Sequence, residues 1–396
     1  MKIMIAEDER ITRRKLQRQL EKWGHEVTAA EDGRQAWQQF QRHNFEIVVT
    51  DWDMPHMDGH QLIKNIRGGE QSHYVYIIML TGRSETSDLV AGMEIGADDF
   101  LSKPFDRNEL RVRLNAGERI IRLERKLALQ NAQLSKANEK MKMDLNAAAK
   151  VQQELLPKEL PDTPHALFAW HYQPCDELGG DILNMFMLDD HHVAMYLLDV
   201  CGHGVPSALL SVSLSRVLTA RDVKSSVLVT NDPKTNVLQV NTPADVAQRL
   251  NRQFPSESQD FYFFTMAYAV LDTRTHIMRY VLAGHPGPIL VRPGQNPEPV
   301  VGKGMPVGVV DDATYDEYEL QLRQGDRLYF YSDGITEAEN EQNVMLGTEG
   351  FINLISQTSQ EALEESLHAC IAALQQWCGS CPFQDDVSLL VMEAID

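Results

Sequence analysis

The chain has 396 residues, of which 43% are hydrophobic, with 37 Lys and Arg against 57 Asp and Glu for a formal net charge of −20. That length accommodates two or three domains with cores of their own, and the composition is ordinary for globular protein. So acidic a chain opposes general binding to nucleic acid, which needs basic surface to displace counterions, but it suits carboxylate-rich metal sites. No apolar run approaches the roughly 18 residues of a membrane span, and the start MKIMIAEDER turns acidic too early for a signal peptide. With an odd count of five cysteines, a reducing cytoplasm is the expected compartment and no membrane partner is expected.

Five apolar runs in the first 110 residues, KIMIAED, HEVTAA, EIVVTD, YVYIIMLT and DDFLSKP, read as strands separated by helical patterns. That alternation predicts an α/β, doubly wound parallel sheet, whose functional residues gather beyond the carboxyl ends of the strands. A helical pattern follows from about Asp106 to Leu156, with no proline before Pro157. Ile120, Leu127, Leu134, Met141, Ala148 and Leu155 recur every seven residues, while Gln130, Asn131 and Asn138 make the companion positions mixed. A strict heptad with polar entries predicts a parallel coiled coil that makes a homodimer, the alternative being a single long helix packed on its own domains. Basic runs occur here and in RITRRKLQR, residues 10–18; each is a solvated helix face or a docking face.

From Pro161 the period changes to strand-like runs: ALFAWHYQP, DILNMFML, HHVAMYLLDV, FYFFTMAYAVLD, THIMRYVLAG, DRLYFYSDG and DVSLLVMEA. Helical patterns appear near 205–220, 242–253 and 360–377, which together predict a layered antiparallel α+β domain. TNDPKTN, residues 230–236, is expected to be an exposed loop.

The five N-terminal strand ends carry Glu7 and Asp8, Asp51, Thr81 and Lys103. Clustered carboxylates repel unless a cation joins them, and hard oxygen ligands suit Mg²⁺. Beside such a cation Asp51 can attack a phosphoryl donor, with Lys103 and the Thr81 hydroxyl holding phosphate oxygens. The motifs AED, TDWDMPHMDG, LTG and GADDFLSKPF make residues 1–120 resemble the CheY-like receiver domain of two-component response regulators. The resemblance implies Asp51 as phosphoacceptor, a cognate histidine kinase as phosphodonor, and Mg²⁺ held by Glu7, Asp8, Asp51 and the backbone of Asp53. It also makes Thr81 and Phe100 the residues that rearrange on phosphorylation.

A second carboxylate set lies at strand–turn junctions: Asp181 in ELGGDI, Asp199 in LLDVCGHG, Asp333 in FYSDGITEAE, and Asp385 and Asp386 in FQDDVSLLV. Two divalent cations on such oxygens would lower the pKa of a bridging water and clamp a phosphoryl group. No cysteine is followed six residues later by arginine, which excludes a cysteine phosphatase loop, and GxxxxGK[ST] does not occur. VQQELLP, GGD, DVCGHGVPSALL, LAGHPGPIL, YSDGITEAEN, LGTEGF and DDVSLLV make the region from about 150 to 396 resemble the PPM metal-dependent serine/threonine phosphatases, in their SpoIIE-like branch. This resemblance implies a β-sandwich flanked by helices and two Mn²⁺ or Mg²⁺ bound by Asp181, Asp199, Asp333, Asp385 and the Val200 carbonyl. By position Asp385 is preferred to Asp386 as ligand.

The implied division is a receiver at 1–120, a signalling linker at 121–156 and a phosphatase at 157–396. Together these imply a response regulator whose phosphatase output is gated by Asp51 and whose substrate is a phosphorylated anti-anti-sigma protein. A silent phosphatase-like adaptor that binds a regulator is the alternative; a DNA-binding output is disfavoured by the acidity. Cys201 stands where the resembled family more often has Ser, and Asn184 where it has an acid, and neither removes a ligand. Cys201 is read as a small buried residue, with oxidation sensitivity of the activity as the alternative. His203 and His285 are read as structural or substrate-facing, and Cys378 and Cys381 lack the second ligand pair a zinc site needs.

Overall fold

The computed structural model describes residues 1–69, 73–82, 94–202, 204–219, 226–231, 238–255 and 263–395. Contacts divide the chain into two units, Met1–Lys140 and Met141–Asp396, so the division falls inside a long helix.

The first unit is a parallel sheet of β1 (Lys2–Ala6), β2 (Glu26–Ala30), β3 (Ile47–Asp51), β4 (Tyr76–Thr81) and β5 (Asp99–Ser102), in the order β2-β1-β3-β4-β5. All five predicted strands are present. Because side chains alternate across a strand, the apolar runs supply both faces of the sheet. Met4, Val48 and Met79 pack towards α2 (Gly33–Arg42) and α3 (Gly59–Gly68). On the other face Ile5, Val49 and Leu80 pack with Leu16 and Leu20 of α1 (Arg10–Lys22) and with Leu110, Leu114 and Ile121 of α4 (Arg107–Gln153). Asp58 caps α3 by accepting the Gln61 N–H at 2.7 Å, which ends the turn after Asp51.

Helix α4 runs Arg107–Gln153 without a break, as the missing prolines predict. Its heptad positions Ile120, Leu127, Leu134 and Met141 are exposed, the last two at 60% and 62%. The expected last repeat, Leu155, lies beyond the helix end, half-buried against the core of the second unit.

The second unit contains two five-stranded sheets. One, β15-β12-β11-β8-β7, joins Tyr318–Gln321, Ile277–Ala283, Phe264–Asp272, His192–Val200 and Ile182–Met187. The other, β14-β13-β16-β17-β6, joins Glu298–Pro299, Ile289–Val291, Arg327–Tyr331, Val387–Ala394 and Ala166–Gln173. Every neighbouring pair within both sheets is antiparallel. Leu183, Met195 and Ala267 of the first sheet share a core with Phe330, Leu390 and Met392 of the second, so the sheets stack face to face. Outside the first lie α5 (Val205–Val217) and α6 (Pro243–Gln253); outside the second lie α8 (Gly347–Thr358) and α9 (Leu363–Cys378). The short helix α7 is Asp333–Thr336.

Thr230 and Asn231 do not form the predicted loop. They lie in β9 (Val229–Asn231), paired with β10 (Leu238–Val240), where the Thr230 hydroxyl donates to Asn241 Oδ1. The remainder of that stretch, 232–236, and His203 lie outside the described residues.

Candidate functional site

The polar residues at the strand ends of the first unit form one pocket. Asp51 ends β3, and its Oδ1 accepts the Trp52 N–H at 2.8 Å. Lys103 follows β5 and sets its ammonium 2.7 Å from both Asp51 Oδ2 and Glu7 Oε2, while its own N–H donates to the Thr81 carbonyl at 2.7 Å. Glu7, Asp8 and Asp51 bring ligand oxygens within 4.8 Å of one another. Burial raises the Glu7 pKa, with the Asp51 charge adding to it and Lys103 opposing. Burial also works against the Lys103 charge, but bonds to Asp51 and Glu7 hold its ammonium above the ordinary range. An all-oxygen set crowded enough to need a counter-cation fits Mg²⁺. Gly59 is required here, because a Cβ would lie 2.1 Å from the Asp51 carbonyl.

Thr81 is buried at the end of β4, and Asp53 is exposed in the turn two residues after Asp51. Phe100, half-buried on β5, lies 6.0 Å below the Arg113 guanidinium. Arg13 of α1 donates to the carbonyls of Glu7 and Asp8, so the basic run also buttresses the end of β1.

The second carboxylate set forms around the ends of β8 and β17. Asp199 is the next-to-last residue of β8, half-buried. Its pKa is pushed up to about 7 by burial and then by Asp333, Asp385, Asp386 and Glu337. Asp181 is fully buried and raised well above the usual range by burial, then by Asp199 and Asp386. Asp333 heads α7 and is raised by burial and by Glu337. Gly334 lets α7 press against the backbone of Asp385 and Asp386, since a Cβ there would sit 2.1 Å from the Asp386 carbonyl. Asp181, Asp199, Asp333 and Asp385 are therefore linked as electrostatic neighbours through Asp199, and an all-oxygen set crowded in this way fits Mg²⁺ or Mn²⁺.

Asp385 and Asp386 have different surroundings. Asp386 is buried, and its two oxygens accept the N–H groups of Cys175, Gly180 and Asp181 at 2.9, 2.6 and 3.1 Å. Asp386 thus clamps the GGD loop, whereas Asp385 is half-buried and accepts the Asp386 N–H at 2.7 Å. The Val200 carbonyl lies beside this loop: a Cβ on Gly180 would stand 2.9 Å from it.

Several neighbours were not legible in the sequence. Ser388 donates to Asp181 Oδ2 at 2.5 Å, and Ser332 donates to the Asp386 carbonyl at 3.0 Å. Cys175 brings its sulfur within 4.8 Å of the Asp385 and Asp386 oxygens. Glu337 adds a further repelling carboxylate beside Asp199 and Asp333. Only Glu337 had a sequence signal, four residues after Asp333 in the same motif. Cys201 is exposed rather than buried, and partial desolvation of its sulfur with the Asp199 and Asp385 charges raises its thiol pKa, which opposes thiolate reactivity.

His285 is buried with both ring nitrogens engaged, Nδ1 with the Thr265 hydroxyl at 2.7 Å and Nε2 with the Tyr331 carbonyl at 3.1 Å. It is a structural residue, and burial depresses its pKa to about 4. Between that value and the unfolded value near 6.5 the unfolded chain binds the extra proton, so His285 removes stability as pH falls through this window. The total is about 3 kcal/mol. We expect His285→Gln to flatten the loss between pH 7 and pH 4.5, read as the difference from wild type in chemical denaturation.

A pocket of phosphoacceptor type on a parallel sheet, and a carboxylate cleft on a β-sandwich, define a receiver joined to a phosphatase domain of the PP2C type. The family model described as Stage II sporulation protein E (SpoIIE) matches residues 189–395, and that described as Response regulator receiver domain matches residues 3–115. The chain belongs to the SpoIIE family, with a receiver domain at its N-terminal end. Its first part is similar to the probable transcriptional regulator ycf27 of Porphyridium aerugineum, 39% identical over 115 residues, 29% of this chain and 47% of the relative. It is also similar to the alkaline phosphatase synthesis transcriptional regulatory protein PhoP of Bacillus subtilis, 36% identical over 115 residues, again 29% and 47%. The chain spans about half the length of these curated relatives. Among solved structures, the SiaA-PP2C domain of Pseudomonas aeruginosa superposes with a TM-score of 0.53 at 19% identity, over 66% of this chain and 99% of that domain. At that identity the likeness shows the fold. Among the described residues, no helix is long and apolar enough to cross a membrane.

Proposed function

We propose that this protein is a response regulator whose output is metal-dependent dephosphorylation of a phosphoserine or phosphothreonine protein, gated by phosphorylation of Asp51. The observation that carries the reading is the crowding of the carboxylates Asp181, Asp199, Asp333 and Asp385 around one another, with the Val200 carbonyl beside the loop that ends in Asp181. Two divalent cations on these oxygens supply Lewis acidity and an activated water. The chain's own part is to hold the oxygens in register: Asp386, Ser388 and Ser332 fix the GGD loop and the start of β17. Substrates of the SpoIIE-like branch, phosphorylated anti-anti-sigma proteins, form the proposed substrate class.

In the receiver, Asp51 takes the phosphoryl group from a histidine kinase while Lys103 turns from the carboxylate towards a phosphate oxygen. Residues Lys15, Arg18, Lys22 and Arg107 line a groove that Lys103 also borders, a basic surface suited to an acidic phosphodonor. The exposed heptad of α4 supports pairing with a second copy of this chain, since Leu127, Leu134 and Met141 leave an apolar seam facing water. A change in that pairing is the route by which Asp51 reaches the phosphatase. The proposed divisions are 1–120, 121–156 and 157–396.

The test is release of phosphate from a serine-phosphorylated anti-anti-sigma protein. We expect release with Mn²⁺ and none with EDTA. Folded, Mn²⁺-loaded protein that releases none would favour the silent adaptor.

A further inference from the structure

Gln152 is the only buried polar side chain of α4, 8% exposed on its last turn. Its amide faces the backbone of Gly179 in both directions. Nε2 donates to the Gly179 carbonyl at 2.6 Å, and Oε1 accepts the Gly179 N–H at 3.3 Å. Gly179 opens the loop that ends in Asp181, and this loop has no slack. A Cβ on Gly179 would lie 2.1 Å from the Tyr172 hydroxyl and 2.3 Å from Asp386 Oδ2. On the next residue, Gly180, it would lie 2.9 Å from the Val200 carbonyl. The loop is wedged between Asp386 and the proposed backbone ligand, so a shift of Gly179 has little room to be absorbed before Asp181 two residues on.

The loop's other restraints come from elsewhere. Ser211 of α5 bonds the Gly180 carbonyl, and Asp386, just ahead of β17, bonds the Gly180 and Asp181 N–H groups. Of the hydrogen bonds described on this loop, those from Gln152 alone connect it to α4. Were the last turn to move, a buried donor and a buried acceptor of Gly179 would both lose their partner, which ties the loop's position to the helix. We propose that Gln152 is a positioning residue that sets the Gly179–Asp181 loop for cation binding, so that docking of the α4 end and cation affinity are linked. The inference rests on the metal-dependent reading given above.

Electron paramagnetic resonance of free Mn²⁺, titrated into the full chain, measures affinity without turnover. Gln152→Ala is expected to weaken Mn²⁺ binding roughly tenfold or more, the usual effect of losing a group that orients a ligand. Gln152→Glu fills the same space but lacks the donor for the Gly179 carbonyl, and should weaken binding as well. The exposed neighbour Gln153, replaced by Ala, should bind as wild type does. A merely structural role would lower the metal-free thermal midpoint and leave affinity in the folded protein unchanged; if Gln152→Ala fails to fold, Gln152→Glu decides. Wild-type affinity in the folded variants overturns the inference alone. A wild type that takes up no Mn²⁺ beyond the one ion of the receiver pocket overturns the metal reading and the inference with it.

Discussion

Asp199→Asn is expected to cut Mn²⁺-dependent turnover by roughly a thousandfold, because several kcal/mol of transition-state charge stabilisation depend on the cation it helps to hold. The substitution keeps volume and removes charge. Its effect on stability should run the other way in metal-free protein. The Asp199 carboxyl is raised from 3.8 to about 7 by burial and by Asp333, Asp385, Asp386 and Glu337. A raised acid means that the folded state holds the proton more tightly, so the charged form costs stability as pH climbs through that interval. Asn avoids this cost, and the shift bounds the gain at about 4 kcal/mol at pH 8. Denaturation at pH 8 with EDTA, set beside turnover with Mn²⁺, checks both halves. A variant that is less stable and still active would contradict the account. The opposed effects are those of a site where function is held against stability.

Asp51→Asn is expected to abolish phosphate incorporation from acetyl phosphate or from a histidine kinase, from about one group per chain to none, since no other carboxylate in the pocket is placed as its nucleophile. Glu7 is fully buried and bonded to Lys103, and Asp8 is exposed at the pocket rim. The variant should remain folded, because Lys103 keeps its 2.7 Å ion pair with Glu7. Phosphate stoichiometry by intact mass checks it; incorporation at the wild-type level would move the acceptor elsewhere.

The fold was legible wherever apolar runs were long and regular. All five receiver strands and the seven longer strands of the second unit follow from such runs, and the unbroken α4 follows from the lack of proline. Short elements escaped. The three-residue β13 after Pro-Gly-Pro is too short to show a period, and α8 begins Gly-Thr-Glu-Gly, residues of mixed helix propensity that mask it. Thr230 and Asn231 carry turn chemistry but are held in β9 by pairing with β10, a tertiary override of local preference.

At the sites, the carboxylates could be read because each stands in a motif at a strand end. Their supports could not. Asp386 and Asp385 are chemically identical neighbours; motif position favoured Asp385 as the ligand, but the clamping role of Asp386 shows only in the packing of Gly179 and Gly180 against it. Gln152 stands beside an identical glutamine, and only the helix phase buries one of them.

The most direct measurement is the initial rate of p-nitrophenyl phosphate hydrolysis with Mn²⁺, with and without beryllofluoride, in wild type and in Asp51→Asn. Beryllofluoride occupies the place of the phosphoryl group on Asp51. A wild-type rate that changes several-fold with beryllofluoride, beside an Asp51→Asn rate that does not respond, is the predicted result. Equal wild-type rates in both conditions, with beryllofluoride shown to be bound, would contradict a receiver-gated phosphatase.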